Sequence, residues 1–495
     1  MAETPAHPAL RTRKQHRKPK IGIFGLGLTA YWPQFPTMKA QLERNQKMVE
    51  ENLRKFPCHV VSAGIVDSDA TALAAGELFC REVVDLIVCY LVTYGTSSLV
   101  LRTIQRRRVP VLVLNLQPSP ALDYDHATTE EMLIYCSSCI LPEISHLFSR
   151  ARLEFNFVSG IIDPAHPAGG QAWKEIGWWM EAARVAHNVQ TSRFGFLGHT
   201  YPGMLDMYTD LTACHIQLGT HVELLEMCDL QQRVDSVQGG EIRAKLEETR
   251  QVFVIAEDSP ADPLATAPTE ESLNWSARVA CGMDGLVQDF ALDGLAYYYR
   301  GLNDNQYERL GASLILGGSL LTAHGVPCSG EGDLKNCFAM YIVEVLGAGG
   351  SYTEFYAMDL NEQFMLMAHD GPGHVAISDR APILRGLGLY HGKRGSGISV
   401  EFSVQHGPVT IVGMTQTSEG RLKLLVSQAE SVPGATLRIG NTNSRIVFSK
   451  PPAEFLREWT RHGPTHHVAL GIGHLAEKIE YAAKLLNLEC ARVAC

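Results

Sequence analysis

The chain has 495 residues, of which 45% are hydrophobic and 19% charged, and its formal net charge is −10. This length exceeds what a single hydrophobic core supports, so we expect two or three domains. An acidic chain is poorly suited to nucleic acid, and no apolar run is long enough to span a membrane. The 12 cysteines follow no disulfide spacing, which predicts reduced thiols and a cytoplasmic location.

The beginning of the chain combines a basic tail with an α/β pattern. Basic residues are concentrated in residues 11–20, and we expect residues 1–19 to be disordered. Over residues 20–190, short apolar runs alternate with helical patterns, which predicts a parallel sheet covered by helices on both faces. The expected strands are Ile21–Leu28, His59–Ile65, Leu86–Val92 and Val109–Leu114, and the expected helices are Met38–Leu53, Ala70–Phe79, Ser97–Gln105 and Ala172–Asn188.

A second α/β pattern begins near Ser192 and predicts a central domain over residues 191–346. Its expected strands are Phe194–Gly198, Val222–Met227 and Val252–Ile255, and its expected helices are Glu271–Phe290 and Glu308–Thr322.

The sequence pattern changes in residues 347–495, where strand-like runs are separated by Gly, Pro, Asp or Asn. The expected strands are Tyr352–Leu360, Gln363–Ala368, Ile398–Val404, Val409–Thr415 and Leu422–Ser427, and helices are expected at Pro452–Thr460 and Leu475–Leu486. The predicted fold class is therefore α/β, with two doubly wound α/β domains followed by a mostly antiparallel β domain with C-terminal helices.

The first strand leads into a glycine-rich turn that resembles a dinucleotide-binding fingerprint. Gly25-x-Gly27-x-x-Ala30 fits the spacing, and Asp67 stands where a ribose-binding acid is expected. Tyr31-Trp32-Pro33 follows where the phosphate-binding helix should begin, which disfavours a cofactor. The alternatives are an NAD(P)-dependent oxidoreductase and an ordinary loop at the carboxyl edge of a sheet.

Carboxylates and histidines in the latter third suggest a metal site. Glu331 lies between two glycines, and Glu354 lies within an apolar strand, where a carboxylate is costly to bury unless it is paired or metal-bound. His369 ends the next strand, and His466 and His467 form a pair near the C-terminus. Carboxylate oxygens with imidazole nitrogens suit Mn²⁺, with Mg²⁺, Co²⁺ or Fe²⁺ as substitutes. Each residue also has an ordinary structural explanation, so the hypothesis depends on the set.

The order and spacing of this set resemble the L-arabinose isomerase pattern. The elements are Gly330-Glu331-Gly332-Asp333-x-Lys335, then Gly-Gly-Ser-Tyr-Thr-Glu354, a strand ending in His369, and Thr-His466-His467. The L-fucose/L-arabinose isomerase superfamily has two α/β domains and a β-rich third domain. The resemblance implies a sugar substrate, aldose–ketose isomerisation and a homo-oligomer, either a trimer or a hexamer.

The resemblance also implies roles for individual residues. Glu331, Glu354, His369 and His467 would bind the metal, and the two glutamates would also exchange the substrate proton. His374 competes with His369, and His466 with His467, for the ligand roles. The remaining candidates would contact the substrate or orient a ligand; they are Met204, Lys335, His374 and His466. Which glutamate is the base stays open.

Two departures from the pattern concern the first domain. Gly27 stands where the arabinose enzymes have a glutamine, and Ile134–Pro142 lacks the histidine that contacts their substrate. The identity of the sugar therefore stays open, and a non-catalytic sugar-binding protein is a further alternative. The loop His199–Asp206 has the aromatic and polar mix of a sugar-contacting loop, but it also fits a plain turn before a helix.

Overall fold

The computed structural model describes residues 14–260, 262–300, 305–390, 393–394 and 397–494. One compact unit comprises Arg17–Asn188, and a second combines the described residues up to His16 with those from Val189 onward. Most of the predicted basic tail lies outside the described residues. Within the second unit, the Nζ of Lys14 pairs with buried Asp293 at 2.6 Å. The predicted domain bounds at residues 190 and 346 stay predictions.

The first unit is built on one parallel sheet. Its strands are β1 (Lys20–Leu26), β2 (His59–Val66), β3 (Leu86–Leu91), β4 (Val111–Gln117) and β5 (Phe155–Ile161). Its helices are α1 (Met38–Leu53), α2 (Asp69–Glu82), α3 (Ser97–Ile104), α4 (Thr129–Ile134), α5 (Leu141–Ala151) and α6 (Pro167–Gln190). The strand order is β2-β1-β3-β4-β5. The strand β3 is buried along its whole length, as expected where helices cover both faces. The sequence did not predict β5, in which only Val158 and Ile161 are buried.

A second parallel sheet follows in the second unit. The strands of this region are β6 (Arg193–Gly198), β7 (His221–Leu225), β8 (Val254–Ile255), β9 (Gly294–Tyr298) and β10 (Cys328–Ser329). The helices are α7 (Leu211–Leu218), α8 (Met227–Ser236), α9 (Gly239–Val252), α10 (Glu270–Asp289), α11 (Glu308–Gly311), α12 (Leu314–Ala323) and α13 (Leu334–Val345). The sheet has the order β10-β9-β6-β7.

Two expectations for this region were wrong in detail. The helix expected over Glu308–Thr322 is divided into α11 and α12, and the strand expected at Val252–Ile255 is reduced to β8, which pairs outside the parallel sheet. The helix α12 is buried on all sides, because it lies between this sheet and the β-rich region.

The latter part of the second unit is mostly antiparallel. Its strands are β11 (Gly349–Asp359), β12 (Phe364–His369), β13 (Ile383–Gly386), β14 (Leu389–Tyr390), β15 (Lys393–Arg394), β16 (Ile398–Glu401), β17 (Gly407–Gln416), β18 (Leu422–Val432), β19 (Thr442–Phe448), β20 (His467–Ile472) and β21 (Glu489–Arg492). Its helices are α14 (Pro452–Thr460) and α15 (Ala476–Leu485). The main sheet has the order β17-β20-β11-β12-β19-β18-β21, and β17 also pairs with β18, so six antiparallel strands close on themselves.

Two smaller sheets complete the fold, one with the order β16-β13-β8 and the other a hairpin of β14 and β15. The predicted fold class is confirmed: parallel sheets flanked by helices precede an antiparallel β-rich region with C-terminal helices. Among the described residues, no helix is both long and apolar enough to cross a membrane.

Candidate metal centre

The first carboxylate, Glu331, lies in the tight turn after β10. Its φ of 56° falls in the left-handed region, which costs a residue with a Cβ about 1–3 kcal/mol. Backbone hydrogen bonds hold this turn: the Tyr201 amide donates to the Glu331 carbonyl at 2.9 Å, and the Gly332 amide donates to the Tyr297 carbonyl at 3.0 Å. A Cβ on Gly332 would lie 2.4 Å from the His199 carbonyl oxygen. The turn therefore requires glycine after Glu331 and fixes the direction of its side chain.

Three neighbouring strands supply the next three side chains. The strand β11 lies between β20 and β12 and is antiparallel to both. Its Glu354 is directly opposite His467 on one side and Ala368 on the other. Opposite residues of an antiparallel pair have Cβ atoms about 4.5–5.5 Å apart. With His369 next after Ala368, the register brings all three residues to the middle of β11, where β12 ends and β20 begins.

The nitrogen and oxygen atoms of these residues converge. The Nε2 atom of His467 lies 3.2 Å from Nε2 of His369 and 3.7 Å from Oε2 of Glu331. The Nε2 atom of His369 lies 3.9 Å from Oε1 of Glu354. The Nε2 atom of His466 is 3.9 Å from Glu331 and 4.0 Å from Glu354. Two triads have their ligand atoms within 4.8 Å of one another: Glu331 with His466 and His467, and Glu354 with His369 and His467.

This spacing and chemistry fit a divalent cation. Metal–ligand bonds of about 2.1 Å in an octahedron place adjacent ligand atoms about 3.0 Å apart and opposite ones about 4.2 Å apart. The separations between 3.2 and 4.0 Å fall within that range. Two carboxylates combined with imidazoles suit Mn²⁺ or Fe²⁺. Each triad is thus compatible with a bound metal ion, and the two triads share His467.

Burial sets the protonation of the cluster. Burial, together with the neighbouring His369 and His466, holds the pKa of His467 well below its usual range, so its ring is neutral and available as a ligand. Burial also favours the neutral form of His369, but the hydrogen bond to Asp370 and the charges of Asp370, Glu354 and Glu331 together outweigh burial and raise the pKa of His369. Burial raises the pKa of Glu354. The surroundings therefore lower the pKa of His467 and raise those of His369 and Glu354.

Asp333 orients the buried ligand histidine. Its Oδ2 lies 3.0 Å from Nδ1 of His467, and its Oδ1 accepts from the Asn336 amide at 3.0 Å as the N-cap of α13. A carboxylate on Nδ1 keeps the proton there and leaves Nε2 as the acceptor, which here lies 2.7 Å from the Tyr352 hydroxyl. Burial raises the pKa of Asp333 to about 6. The sequence predicted only the capping role, because the contact with His467 joins residues that are far apart in the chain.

His466 has a different carboxylate partner, Asp206, which the sequence did not single out as a partner. The Oδ2 of Asp206 lies 2.6 Å from Nδ1 of His466 and accepts from its amide at 2.9 Å. Lys335 donates from Nζ to the carbonyl oxygens of Asp206 at 2.6 Å and Tyr208 at 3.1 Å. Lys335 therefore supports the loop that carries Asp206 and is not part of the metal cluster.

Two other predicted residues lie apart from the cluster. His374 is fully buried, and its Nε2 is 3.2 Å from Oε2 of Glu344 on α13. Met204 is partly buried at the start of a short 3₁₀ turn, Leu205–Met207. Within the described part of the chain, neither metal triad includes His374 or Met204. Of the two competing histidines in the Gly/Pro loop, the fold brings His369 to the carboxylates.

Cavities border both carboxylates. One is lined by Glu331 and His369 together with Tyr297, Tyr298 and Pro372. A more open one is lined by Glu354, His466, Asp206, Phe355 and Trp459. Glu331 thus borders a small cavity and Glu354 a larger, more open one, and aromatic rings form part of the walls of both.

The glycine-rich turn after β1 lacks the geometry of a dinucleotide site. A three-residue 3₁₀ turn, Thr29–Tyr31, follows it, and the next α-helix begins only at Met38. The Nε1 of Trp32 donates to Oδ2 of Asp67 at 2.8 Å. The acid that would bind a ribose is thus engaged by the protein, and no helix N-terminus follows the glycines to bind a pyrophosphate.

Comparisons with known proteins show a similarity to L-arabinose isomerases. The family model of the L-arabinose isomerase central domain matches residues 208–349, and that of the C-terminal domain matches residues 349–489. Similar proteins include the L-arabinose isomerase of Clavibacter sepedonicus, which is 23% identical over 470 residues, covering 92% of this chain and 89% of that protein. The L-arabinose isomerase of Klebsiella pneumoniae is 22% identical, with coverages of 92% and 90%. That of Thermotoga maritima is 22% identical, with coverages of 88% and 86%.

Proposed function

The chain belongs to the L-fucose/L-arabinose isomerase superfamily, and from this premise we propose that it is a metal-dependent aldose–ketose isomerase. Its substrate would be a pentose, hexose or deoxyhexose. The observation that supports the proposal is the pair of triads that share His467, one with Glu331 and His466 and the other with Glu354 and His369. Neither the Gly25-x-Gly27 turn nor any comparison supports an oxidoreductase.

We assign the metal to Glu331, Glu354, His369 and His467, with Mn²⁺ as the preferred ion and Mg²⁺, Co²⁺ or Fe²⁺ as substitutes. These four side chains offer two carboxylates and two imidazoles, and His467 is held neutral in the interior. When bound, such an ion supplies a Lewis acid that polarises a carbonyl group and stabilises negative charge on neighbouring oxygens.

The two glutamates would carry the proton transfer. Conversion of an aldose to a ketose moves a proton from C2 to C1 of the open-chain sugar, and the proton of the O2 hydroxyl to O1, through a cis-enediol. One carboxylate removes the proton and a carboxylic acid returns it. Burial raises the pKa of Glu354, which makes it a stronger base than an exposed glutamate. His466, which is partly exposed beside the open cavity, would contact the sugar and is not assigned to the metal.

The decisive experiment is a metal-dependent screen for ketose formation. The protein is stripped with EDTA, reloaded with Mn²⁺ and incubated with L- and D-aldoses of five and six carbons, including deoxyhexoses. We expect ketose from at least one sugar, no activity in the stripped protein, and recovery with Mn²⁺. Absence of ketose from every aldose would overturn the isomerase proposal. Sugar binding without turnover would instead identify a non-catalytic sugar-binding protein.

The resemblance also leads us to propose a homo-oligomer, either a trimer or a hexamer. Light scattering on the purified full-length protein measures its mass directly. A monomer at micromolar concentration would contradict this assignment without affecting the assignment of the metal ligands.

A further inference from the structure

We propose that Asp206 is a positioning residue, which fixes the ring of His466 so that its Nε2 faces the carboxylate pair. This inference rests on the proposed isomerase function. It adds a residue from outside the Gly-Glu-Gly-Asp-x-Lys segment to the machinery of the site.

Asp206 holds His466 at two points. Its Oδ2 is 2.6 Å from Nδ1 of the ring and 2.9 Å from the backbone amide of the same residue. A ring whose Nδ1 is bound in this way directs Nε2 away from Asp206. The Nε2 atom lies 3.9 Å from Glu331 and 4.0 Å from Glu354. Loss of the Asp206 carboxylate would free the ring to rotate out of this orientation.

The loop that carries Asp206 is itself anchored. Lys335 Nζ donates to the Asp206 carbonyl at 2.6 Å and to the Tyr208 carbonyl at 3.1 Å. Asp210 ends the loop as the N-cap of α7, where its Oδ1 accepts from the Ala213 amide at 3.0 Å. Both bonds of Lys335 go to backbone oxygens, so an asparagine at position 206 preserves them. The carboxylate can therefore be changed without removing the anchor.

In both adjacent histidines, His466 and His467, an aspartate carboxylate binds Nδ1, but the two pairs differ in burial. Asp333 holds Nδ1 of His467, and both side chains are fully buried. Asp206 holds Nδ1 of His466, and these side chains are 35% and 34% exposed and line the open cavity. One pair therefore orients a histidine of the buried cluster, and the other orients a histidine that borders the open cavity. Substitution of Asp206 should impair turnover while leaving metal affinity intact.

The test uses the full-length protein with Asp206→Asn, His466→Gln and the double variant. Asp210→Asn is the matched control, because it changes a carboxylate of the same loop and asparagine caps a helix as well as aspartate does. Mn²⁺ affinity is measured by calorimetry on the stripped protein, kcat and KM on the reloaded protein. A crystal structure of Asp206→Asn reports the orientation of the His466 ring.

Asparagine at position 206 accepts less strongly from Nδ1 of His466, so we expect Asp206→Asn to lower kcat by about 10–100-fold, with Mn²⁺ affinity within about threefold of the wild type and a displaced His466 ring. If Asp206 acts through His466, adding Asp206→Asn to His466→Gln causes no further loss, because the two changes remove one interaction. Independent losses in the double variant would overturn the proposal, as would a fall in Mn²⁺ affinity equal to the fall in kcat, or a ring that stays in place. If the wild type isomerises no sugar, the isomerase function fails, but the calorimetry and the ring orientation still decide the role of Asp206.

Discussion

Two glycine-rich turns stand at the carboxyl ends of strands in parallel sheets, and only the second presents a carboxylate to histidines from a distant part of the chain. Gly25–Ala30 follows β1, while Gly330–Gly332 follows β10. The first turn leads into a 3₁₀ turn. The second holds Glu331 at a φ of 56° and leads directly into α13, capped by Asp333.

The difference lies in what surrounds each turn. In the first, the acid Asp67 is occupied by Trp32 at 2.8 Å, with Lys39 3.8 Å away. In the second, Glu331 meets two histidines from another part of the chain, 3.7 and 3.9 Å from its Oε2. Glycine spacing alone does not predict chemistry. A turn becomes a site when distant polar side chains converge on the group that it presents.

The largest effect should come from the carboxylate of the second turn. Glu331→Gln keeps the shape of the side chain but removes its charge and its basicity, so we expect kcat to fall by about 10³-fold, within the range for a general acid or base. Asp67→Asn is the matched change in the first turn and should leave kcat within threefold. Steady-state kinetics with the Mn²⁺-loaded protein measures both. Equal losses in the two variants would mean that both turns serve catalysis.

A smaller effect is expected from Asp333→Asn, which tests the group that orients a ligand. Asparagine still caps α13 but accepts less strongly from Nδ1 of His467, so Mn²⁺ should bind about 10–100-fold more weakly. Calorimetric titration of the stripped protein measures the affinity, and thermal unfolding of the stripped protein serves as the control for folding. An unchanged Mn²⁺ affinity would show that the 3.0 Å contact does not support a metal ligand.

Sequence reasoning succeeded where the signal was local. The helices Met38–Leu53 and Pro452–Thr460 have the predicted bounds, because amphipathic spacing and proline at a helix start are properties of short segments. The sequence also correctly predicted that Glu354 lies within a strand and that His369 lies at the end of one.

The features that the sequence did not predict depend on contacts between residues that are far apart in the chain. The contact between Asp206 and His466 joins residues 260 positions apart, and Asp206 has no local feature beyond those of a surface acid. The closure of the antiparallel sheet by β17 and β18 likewise becomes visible only once every strand has its partner. Family resemblance supplied the ligand set in advance, but the orienting carboxylates required the fold.

A stability measurement tests the backbone of the second turn. Gly332→Ala introduces a Cβ that would lie 2.4 Å from the His199 carbonyl oxygen, at a φ of +69°. Gly420→Ala is the matched control, because its φ is +76° and nothing lies within 4 Å of the added Cβ. Both variants have the cost of a left-handed alanine, and we expect Gly332→Ala to lose roughly 1–2 kcal/mol more because its backbone must also shift. Urea unfolding of the stripped proteins measures the difference, and equal losses would mean that the turn yields without strain.

The smallest effect belongs to the first turn. Trp32→Phe removes the indole N–H that donates to Asp67, and we expect a loss of about 0.5–1.5 kcal/mol in unfolding free energy, the usual contribution of one hydrogen bond. Lys39 still neutralises Asp67 at 3.8 Å, which limits the cost. Tyr124→Phe, at a side chain that is 86% exposed, should change nothing. Because Trp32 and Asp67 only stabilise the turn, kcat and Mn²⁺ affinity should stay at wild-type values. A loss of turnover with little loss of stability would instead bring the first turn into the reaction, and the contrast between the two turns would fail.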